Sequence, residues 1–140
     1  MLRKKRGGRR PILNLQSQTL IPSEYQECKT YWEYAKTHPI LKKYLVKIPN
    51  ERIDKEGWFT KALIAIGMRP GIQDYQLPCR NDKYIGLWLE VKRRDEKGKK
   101  LRVEQQHWHD TWREVGHYTA VAYGCDEAIK ITLDYLANQI

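Results

Sequence analysis

The sequence predicts an α/β domain in which a mixed β-sheet is flanked by helices, with elements in the order α-β-α-β-β-α-β-α. Segments with apolar residues at helical spacing alternate along the chain with short apolar runs that are typical of strands. The 140 residues can bury a hydrophobic core without disulfide or metal supports. A hydrophobic content of 41%, with five Trp and nine Tyr, is typical of a folded domain rather than a disordered tail.

The first helix is predicted from Pro22 to about Lys36. Ser23 is placed as its N-cap and Pro39 closes the segment. Apolar residues recur along it at helical spacing, namely Tyr25, Cys28, Trp32 and Ala35. A short strand follows at 44–48, where apolar and polar residues alternate before a Pro-Asn turn.

The remaining elements follow from the same two periodicities. A second helix is predicted at 57–66, because this run is helix-compatible and stops at Gly67. Two strands joined by a polar turn are predicted at 74–77 and 85–91. A third helix at about 102–115, a strand at 118–123 and a final helix at about 126–136 complete the domain, which contains no internal repeat.

The positive charge is concentrated at the start of the chain. The net charge is 26 − 17 = +9, and residues 1–10 supply six cations and no acid: Arg3, Lys4, Lys5, Arg6, Arg9 and Arg10. We therefore expect a flexible basic arm at 1–21 followed by one domain at 22–140. Such an arm suits phosphate neutralisation, which makes nucleic acid the natural partner, although a solvated tail or an import signal would look the same.

A second basic cluster follows the strand at 85–91 and is interrupted by Asp95, Glu96 and Gly98, which indicates a loop. Its cations are Lys92, Arg93, Arg94, Lys97, Lys99, Lys100 and Arg102. No apolar run approaches the roughly 20 residues needed to cross a bilayer, and no secretion signal is recognisable, so we expect a cytosolic protein that contacts no membrane. The three cysteines lack metal-site spacing and are expected to be free thiols.

The strand Leu87-Trp88-Leu89-Glu90-Val91-Lys92 carries the chemistry. Side chains alternate along a strand, so Glu90 and Lys92 project from the same face. Burying two charges in a small sheet costs several kcal/mol per ion unless they pair well or bind a ligand. A bound metal would account for the placement, and so would a surface ion pair at an exposed strand end.

Asp74 lies sixteen positions before Glu90, at the start of the preceding strand. If the two strands form a hairpin, both carboxylates can converge on one hard cation, with Lys92 beside the water that the cation binds. Oxygen ligands suit Mg²⁺, which lowers the pKa of a bound water and stabilises charge on a phosphate. This arrangement is typical of a nuclease.

The helix at 102–115 presents one stripe toward the sheet, consisting of Leu101, Gln105, Trp108, Trp112 and Val115. Its one polar member, Gln105, could orient a water or a phosphate, or could lie at the stripe's edge and reach solvent. His107 and His109 lie two apart, do not face the same way, and are interpreted as surface residues.

The first helix offers two acids. Glu24 lies within or beside the apolar face, whereas Glu27 lies further out, so Glu24 is the better candidate for a further acid at the site. An acid in the first turn is also explained by the helix dipole alone, and the choice between the two residues stays open.

An ordered set of motifs resembles a known family. It comprises Gly67-Met68-Arg69-Pro70-Gly71-Ile72-Gln73-Asp74, then Leu87 to Lys92, Glu104-Gln105 with Trp108, Gly116-His117-Tyr118 leading to Ala120-Val121-Ala122-Tyr123-Gly124, and Asp126-Glu127-Ala128. From about Pro22 onward the chain resembles the VRR-NUC domain, the virus-type replication-repair nuclease branch of the PD-(D/E)XK superfamily. The resemblance implies a restriction-endonuclease-like fold.

The resemblance also implies a site. It places a Mg²⁺ or Mn²⁺ ion on Asp74, Glu90 and the Val91 carbonyl, with Lys92 as the catalytic lysine and Gln105 as the motif glutamine. Glu24 would be the helix-one acid. One departure is Gln73, which stands where the family usually has proline, a residue that constrains the backbone rather than supplying chemistry.

The resemblance favours a metal-dependent DNA endonuclease acting on branched or structured DNA, of the junction or flap type. Small stand-alone members look like phage proteins, which suggests phage replication, recombination or repair in the bacterial host cytoplasm. Symmetric cutting of a four-way junction would require two sites, so a homodimer is coupled to that activity. The alternative is a non-catalytic basic module that binds nucleic acid on the same fold.

Overall fold

The computed structural model of the protein describes residues 20–49 and 57–140, together with the backbone of residues 12 and 13. The six cations at 3–10 and Asn50 of the expected Pro-Asn turn lie outside the described residues. Two short strands, β1 (Ile12–Leu13) and β2 (Leu20–Ile21), pair antiparallel within the range expected to form the basic arm.

The described part of the chain contains five helices and, after β2, four strands. The helices are α1 (Glu24–Ala35), α2 (Pro39–Tyr44), α3 (Trp58–Ala65), α4 (Val103–Glu114) and α5 (Cys125–Leu136). The strands are β3 (Val46–Lys47), β4 (Tyr75–Leu77), β5 (Leu87–Lys92) and β6 (Tyr118–Tyr123). A single 3₁₀ turn, Arg94–Glu96, follows β5.

The second sheet has the strand order β3-β4-β5-β6. β4 is antiparallel to both β3 and β5, whereas β5 and β6 are parallel and are joined by the crossover helix α4. The predicted mixed sheet flanked by helices is therefore confirmed, as is the hairpin of β4 and β5. Its register pairs Tyr75 with Leu89, which brings the start of β4 next to the end of β5.

The alternation predicted for β5 separates the two faces of the sheet. Leu87, Leu89 and Val91 lie in the hydrophobic core with residues of α1 and α5. On that side Tyr31 and Thr132 share a 2.7 Å hydrogen bond between buried hydroxyl groups. The opposite face packs against α4 and carries the polar residues of β5. Helices thus cover both faces of the sheet.

The first helix begins as predicted. The Ser23 hydroxyl accepts the backbone N–H of Gln26, and the Gln26 side chain accepts the N–H of Ser23, which completes a capping box. Its buried face differs from the prediction, because Glu27, Tyr31 and Ala35 are buried whereas Tyr25 is 74% exposed. The prediction that Glu27 lies further out is wrong.

Glu27 is buried because three donors compensate its charge. Arg94 donates Nε and Nη2 to the two carboxylate oxygens at 2.7 and 3.1 Å, and the backbone N–H of Cys125 donates at 2.7 Å. Burial by itself raises the pKa of a carboxyl group, but these hydrogen bonds outweigh it and hold the pKa of Glu27 below its ordinary value. Glu27 therefore joins α1 to the segment after β5 and to the N-terminus of α5.

Two further expectations about α4 are wrong. His109 is buried, whereas His107 is exposed as predicted. Val115 is 57% exposed, since it follows the last residue of α4. The buried face is centred on Gln105, Trp108 and His109 because the helix packs against β6 as well as β5. Burial lowers the pKa of His109 to about 4, so its imidazole is neutral at physiological pH.

We expect the Glu27→Ala variant to lose about 2–3 kcal/mol of unfolding free energy, because it leaves the partly buried Arg94 guanidinium and a buried N–H without their acceptor. Chemical denaturation measures the loss. Glu33→Ala, on the exposed side of the same helix, is the control and should change stability by less than about 0.5 kcal/mol.

The loss of unfolding free energy caused by Glu27→Ala should depend on pH. Because the folded-state pKa of Glu27 is depressed, its ionic contribution is present above the unfolded pKa of about 4.5 and disappears as the pH falls through the folded value. The difference in unfolding free energy between wild type and Glu27→Ala should therefore become smaller as the pH falls. A difference that stays constant from pH 7 to pH 3 would contradict the account.

Candidate active site

A cavity of about 480 Å³ lies where β4 begins and β5 ends. Its polar lining consists of Glu24, Thr60, Asp74, Glu90, Lys92, Arg102 and Gln105, and α3 and the segment before β4 supply the apolar part with Ile64, Met68, Pro70 and Gly71. The structure thus brings all the predicted catalytic side chains, and Glu24, to one cavity. Glu27 lies outside this lining.

Asp74 is buried at the first position before β4. Its Oδ2 accepts the backbone N–H of Val91 at 2.8 Å, and its Oδ1 accepts the Lys47 ammonium at 3.3 Å. Sequence reasoning missed Lys47, which lies on β3 and is 27 positions away along the chain. Only the antiparallel pairing of β3 with β4, which sets Lys47 opposite Tyr75, brings it beside this carboxylate.

Glu90 projects from β5 on the face that packs against α4. Lys92 Nζ and Gln105 Nε2 both donate to its Oε1, at 3.0 and 2.8 Å. Among the described residues no donor binds Oε2, which therefore keeps its lone pairs. The Glu90 and Lys92 side chains are only 5% and 17% exposed, so this is not the surface ion pair that the sequence also allowed.

Gln105 is buried and does not reach solvent. It is the third residue of α4, and its Oε1 accepts the backbone N–H of Arg102 at 3.3 Å, the reciprocal half of a capping box. This bond orients the amide so that Nε2, not Oε1, points to Glu90. The Gln105 amide therefore lines the cavity and also binds the Glu90 carboxylate.

Burial and neighbouring charges shift the pKa values of both Glu90 and Lys92. Burial, and then the neighbouring Asp74 carboxylate, raise the pKa of Glu90 well above its ordinary range. Burial disfavours the ammonium of Lys92, but attraction to Glu90 outweighs this and raises the Lys92 pKa above its ordinary value. Lys92 therefore stays protonated, and a further positive charge near the two carboxylates would be stabilising.

The donor set fits a hard divalent cation. Asp74 and Glu90 offer carboxylate oxygens, and the Val91 carbonyl points to the same strand edge as its N–H, which bonds Asp74. No group of three or more His, Cys, Asp or Glu side chains in the described ranges is arranged to hold a metal. Two carboxylates with a carbonyl suffice for Mg²⁺, which retains several waters, whereas structural zinc needs more protein ligands.

The segment before Asp74 is held against α4 by two tryptophans. Trp108 Nε1 donates to the carbonyl of Pro70 at 2.9 Å, and Trp112 Nε1 donates to the side-chain oxygen of Gln73 at 3.1 Å. Between them Gly71, with φ +79°, lies so close to α4 that a Cβ there would be 2.6 Å from that of Glu104. These contacts determine where Asp74 enters the site.

Four of the seven cations in the basic cluster after β5 are engaged within the fold. Lys92 pairs with Glu90, Arg93 with Asp95, Arg94 with Glu27, and Lys97 with Glu127. The other cations are Lys99, Lys100 and Arg102, which are exposed and make no ion pair with any described residue. The cations predicted to bind nucleic acid therefore divide into a structural and an available group.

A solved structure of similar fold is named "VRR_NUC domain protein". It superposes with a TM-score of 0.68 over 84% of this chain and 90% of that chain, at 18% sequence identity. The domain therefore has the VRR-NUC fold that the motifs implied. The chain matches no protein-family profile, and no curated protein matches it significantly in sequence. No helix among the described residues has both the length and the apolar character required to cross a membrane.

We expect Gly71→Ala to be more damaging than Gly67→Ala. Both glycines have positive φ, +111° at Gly67 and +79° at Gly71, a backbone conformation that strains an alanine at either position. A Cβ at Gly67 meets nothing within 4 Å, whereas one at Gly71 overlaps the backbone of α4. Chemical denaturation should therefore show a loss at least about 1 kcal/mol larger for Gly71→Ala. Equal losses would mean that the segment before Asp74 moves away from α4 without cost.

Proposed function

We propose that the domain is a divalent-metal-dependent endonuclease that hydrolyses phosphodiester bonds in DNA. The observation that carries the proposal is the convergence of Asp74, Glu90, Lys92 and Gln105 on one cavity. A buried acid pair with a protonated lysine has no evident structural purpose, because apolar residues would fill the same space at lower cost. The likeness of the fold to a VRR_NUC domain protein supports the same reaction class.

In this proposal Asp74, Glu90 Oε2 and the Val91 carbonyl hold Mg²⁺, for which Mn²⁺ substitutes, and Glu24 faces the same cavity. When bound, such an ion polarises a phosphoryl oxygen and lowers the pKa of a coordinated water. The Lys92 ammonium donates hydrogen bonds to the negative charge that develops on the phosphate. Gln105 keeps Glu90 in the rotamer that presents Oε2 to the cavity.

The substrate proposal rests on charge. Arg102 lines the cavity, Lys99 and Lys100 are exposed and precede it closely in the chain, and the six cations of residues 1–10 add to the positive charge of the protein. Contacts of this kind bind phosphates without reading sequence and weaken steeply with salt. We extend the proposal to branched or structured DNA, in a pathway of phage replication, recombination or repair.

The first experiment is cleavage of labelled four-way junction, flap, single-stranded and linear duplex DNA with Mg²⁺, Mn²⁺ or EDTA. We expect metal-dependent cleavage, lost in EDTA and reduced about 100-fold or more in kcat for Lys92→Ala, with DNA affinity little changed. Lys83→Ala is the matched control, because this exposed lysine lies in the β4–β5 connection at the opposite end of the hairpin. The preferred substrate would identify the type of nuclease.

The alternative of a non-catalytic binding module makes a different prediction in the same assay. DNA would be bound but not cut with any divalent ion, and Asp74→Ala would leave binding unchanged. That outcome would overturn the proposed activity while leaving the basic surface as the functional one.

Helix α3 favours a homodimer. It lies beside the cavity and has no buried residue, although its composition is apolar. On and next to it Trp58, Phe59, Ile64 and Ile66 are 72%, 40%, 46% and 82% exposed. Exposed large apolar side chains in such number on one short helix are typical of an interface, and a two-fold dimer through α3 would supply the two sites that symmetric junction cutting needs.

We expect a dimeric mass in light scattering and a monomeric mass for Ile66→Asp, since a carboxylate cannot be buried in an apolar interface without large cost. Val103→Asp is the control, because this residue is equally exposed, at 83%, but lies on α4. Circular dichroism verifies that both variants fold. A wild-type protein that is monomeric with and without DNA would contradict the dimer.

A further inference from the structure

Gln73 occupies an unusual position, immediately before Asp74. Its side chain is fully buried, and the one hydrogen bond that it forms among the described residues is from Trp112 Nε1 to its Oε1, at 3.1 Å. Its Nε2 is buried without a partner. Burying an amide with one of its two polar atoms unpaired costs free energy, so the side chain is poorly explained by packing alone.

Trp112, the donor, is itself held rigidly. Its ring is stacked on that of Trp88 with centroids 4.4 Å apart and planes 4° from parallel, and on that of Trp108 at 5.3 Å. Trp88 is on β5 and shares a face with Glu90. The side chain of Trp112 therefore contacts both β5, which carries Glu90, and Gln73, which precedes Asp74.

The position of Asp74 is sensitive to this connection. The bond from the Val91 N–H to Asp74 is 2.8 Å long, and such a bond is lost beyond about 3.5 Å. A backbone shift of less than 1 Å at residue 73 would therefore break it and change the separation of the two carboxylates.

We propose that Trp112 is a positioning residue, whose indole N–H holds Gln73 so that Asp74 and Glu90 keep the separation needed to share one divalent cation. The inference rests on the proposed function for the identity of the ligand, but the contact between Asp74 and Val91 tests it without any metal. Trp112 does not line the cavity and acts through Gln73.

The variant that isolates the N–H is Trp112→Phe, which keeps an aromatic ring for stacking. We expect Mg²⁺ and Mn²⁺ to bind about tenfold more weakly in calorimetric titrations, the usual scale for a residue that orients a ligand. The metal dependence of cleavage should shift by the same factor, with kcat at saturating metal nearly unchanged. Trp108→Phe is the graded comparison: it removes an equivalent N–H from the same helix, but one that bonds Pro70, four residues before Asp74, so its effect on metal affinity should be clearly smaller than that of Trp112→Phe.

A rescue distinguishes positioning from general damage. Among the described residues no acceptor bonds the backbone N–H of Gln73, so proline is compatible there in this respect and restricts φ by itself. Gln73→Pro should therefore restore metal affinity in the Trp112→Phe background to within about threefold of wild type, whereas Gln73→Ala should not. Gln73→Ala alone should resemble Trp112→Phe. Wild-type affinity in either single variant would overturn the proposal.

Amide hydrogen exchange at Val91 supplies the readout that needs no metal. Loss of the Trp112 N–H should accelerate exchange at Val91 about tenfold, whereas Trp108→Phe should accelerate it less. If the wild-type protein binds no divalent ion, the proposed function fails, and this exchange rate still decides the positioning. Unchanged exchange in Trp112→Phe, with unfolding free energy also unchanged, would overturn it.

Discussion

Two carboxylates, Asp74 and Glu90, are buried at one end of a four-stranded sheet, and much of the surrounding structure offsets the cost of that arrangement. Like charges this close repel, and burial removes the water that would otherwise screen them. Two donors therefore bind each carboxylate, and one of the two is a lysine. Asp74 accepts hydrogen bonds from the Val91 N–H and from Lys47. Glu90 accepts them from Gln105 and from Lys92.

The donors come from distant parts of the chain, so the site forms only when the whole domain is folded. α4 contributes most, because its capping hydrogen bond orients Gln105 and its tryptophans hold the segment that delivers Asp74. On the other side of β5, Glu27 and Arg94 join α1 to the strand's exit and to α5. Burying an ion pair is costly in a small domain. Here the Glu90–Lys92 pair and the Glu27–Arg94 pair both lie at or just after the end of β5.

Much of this arrangement could be predicted from local patterns. Alternation in Leu87 to Lys92 identified the two faces of β5, and the spacing of Asp74 and Glu90 on a predicted hairpin brought their carboxylates together. The short helix α2 was not predicted, since Pro39 was interpreted as the end of a helix rather than the first residue of the next. The burial of Glu27 was mispredicted because helical periodicity reports which residues are apolar and not which polar ones find a partner, and that of His109 because α4 packs against β6 as well as β5.

The sequence by itself therefore determined the order of the main elements apart from α2, β1 and β2, the basic balance of charge and the predicted catalytic side chains that meet at the cavity. These follow from periodicity, turn residues and spacing, which are properties of neighbouring residues. Only the tertiary structure decided that Lys47 reaches Asp74, that Gln105 turns its amide toward Glu90, and that Arg94 compensates Glu27. Such pairs are 15 to 67 residues apart, and hydrogen bonds form or fail over a few tenths of an ångström, which no pattern in one sequence resolves.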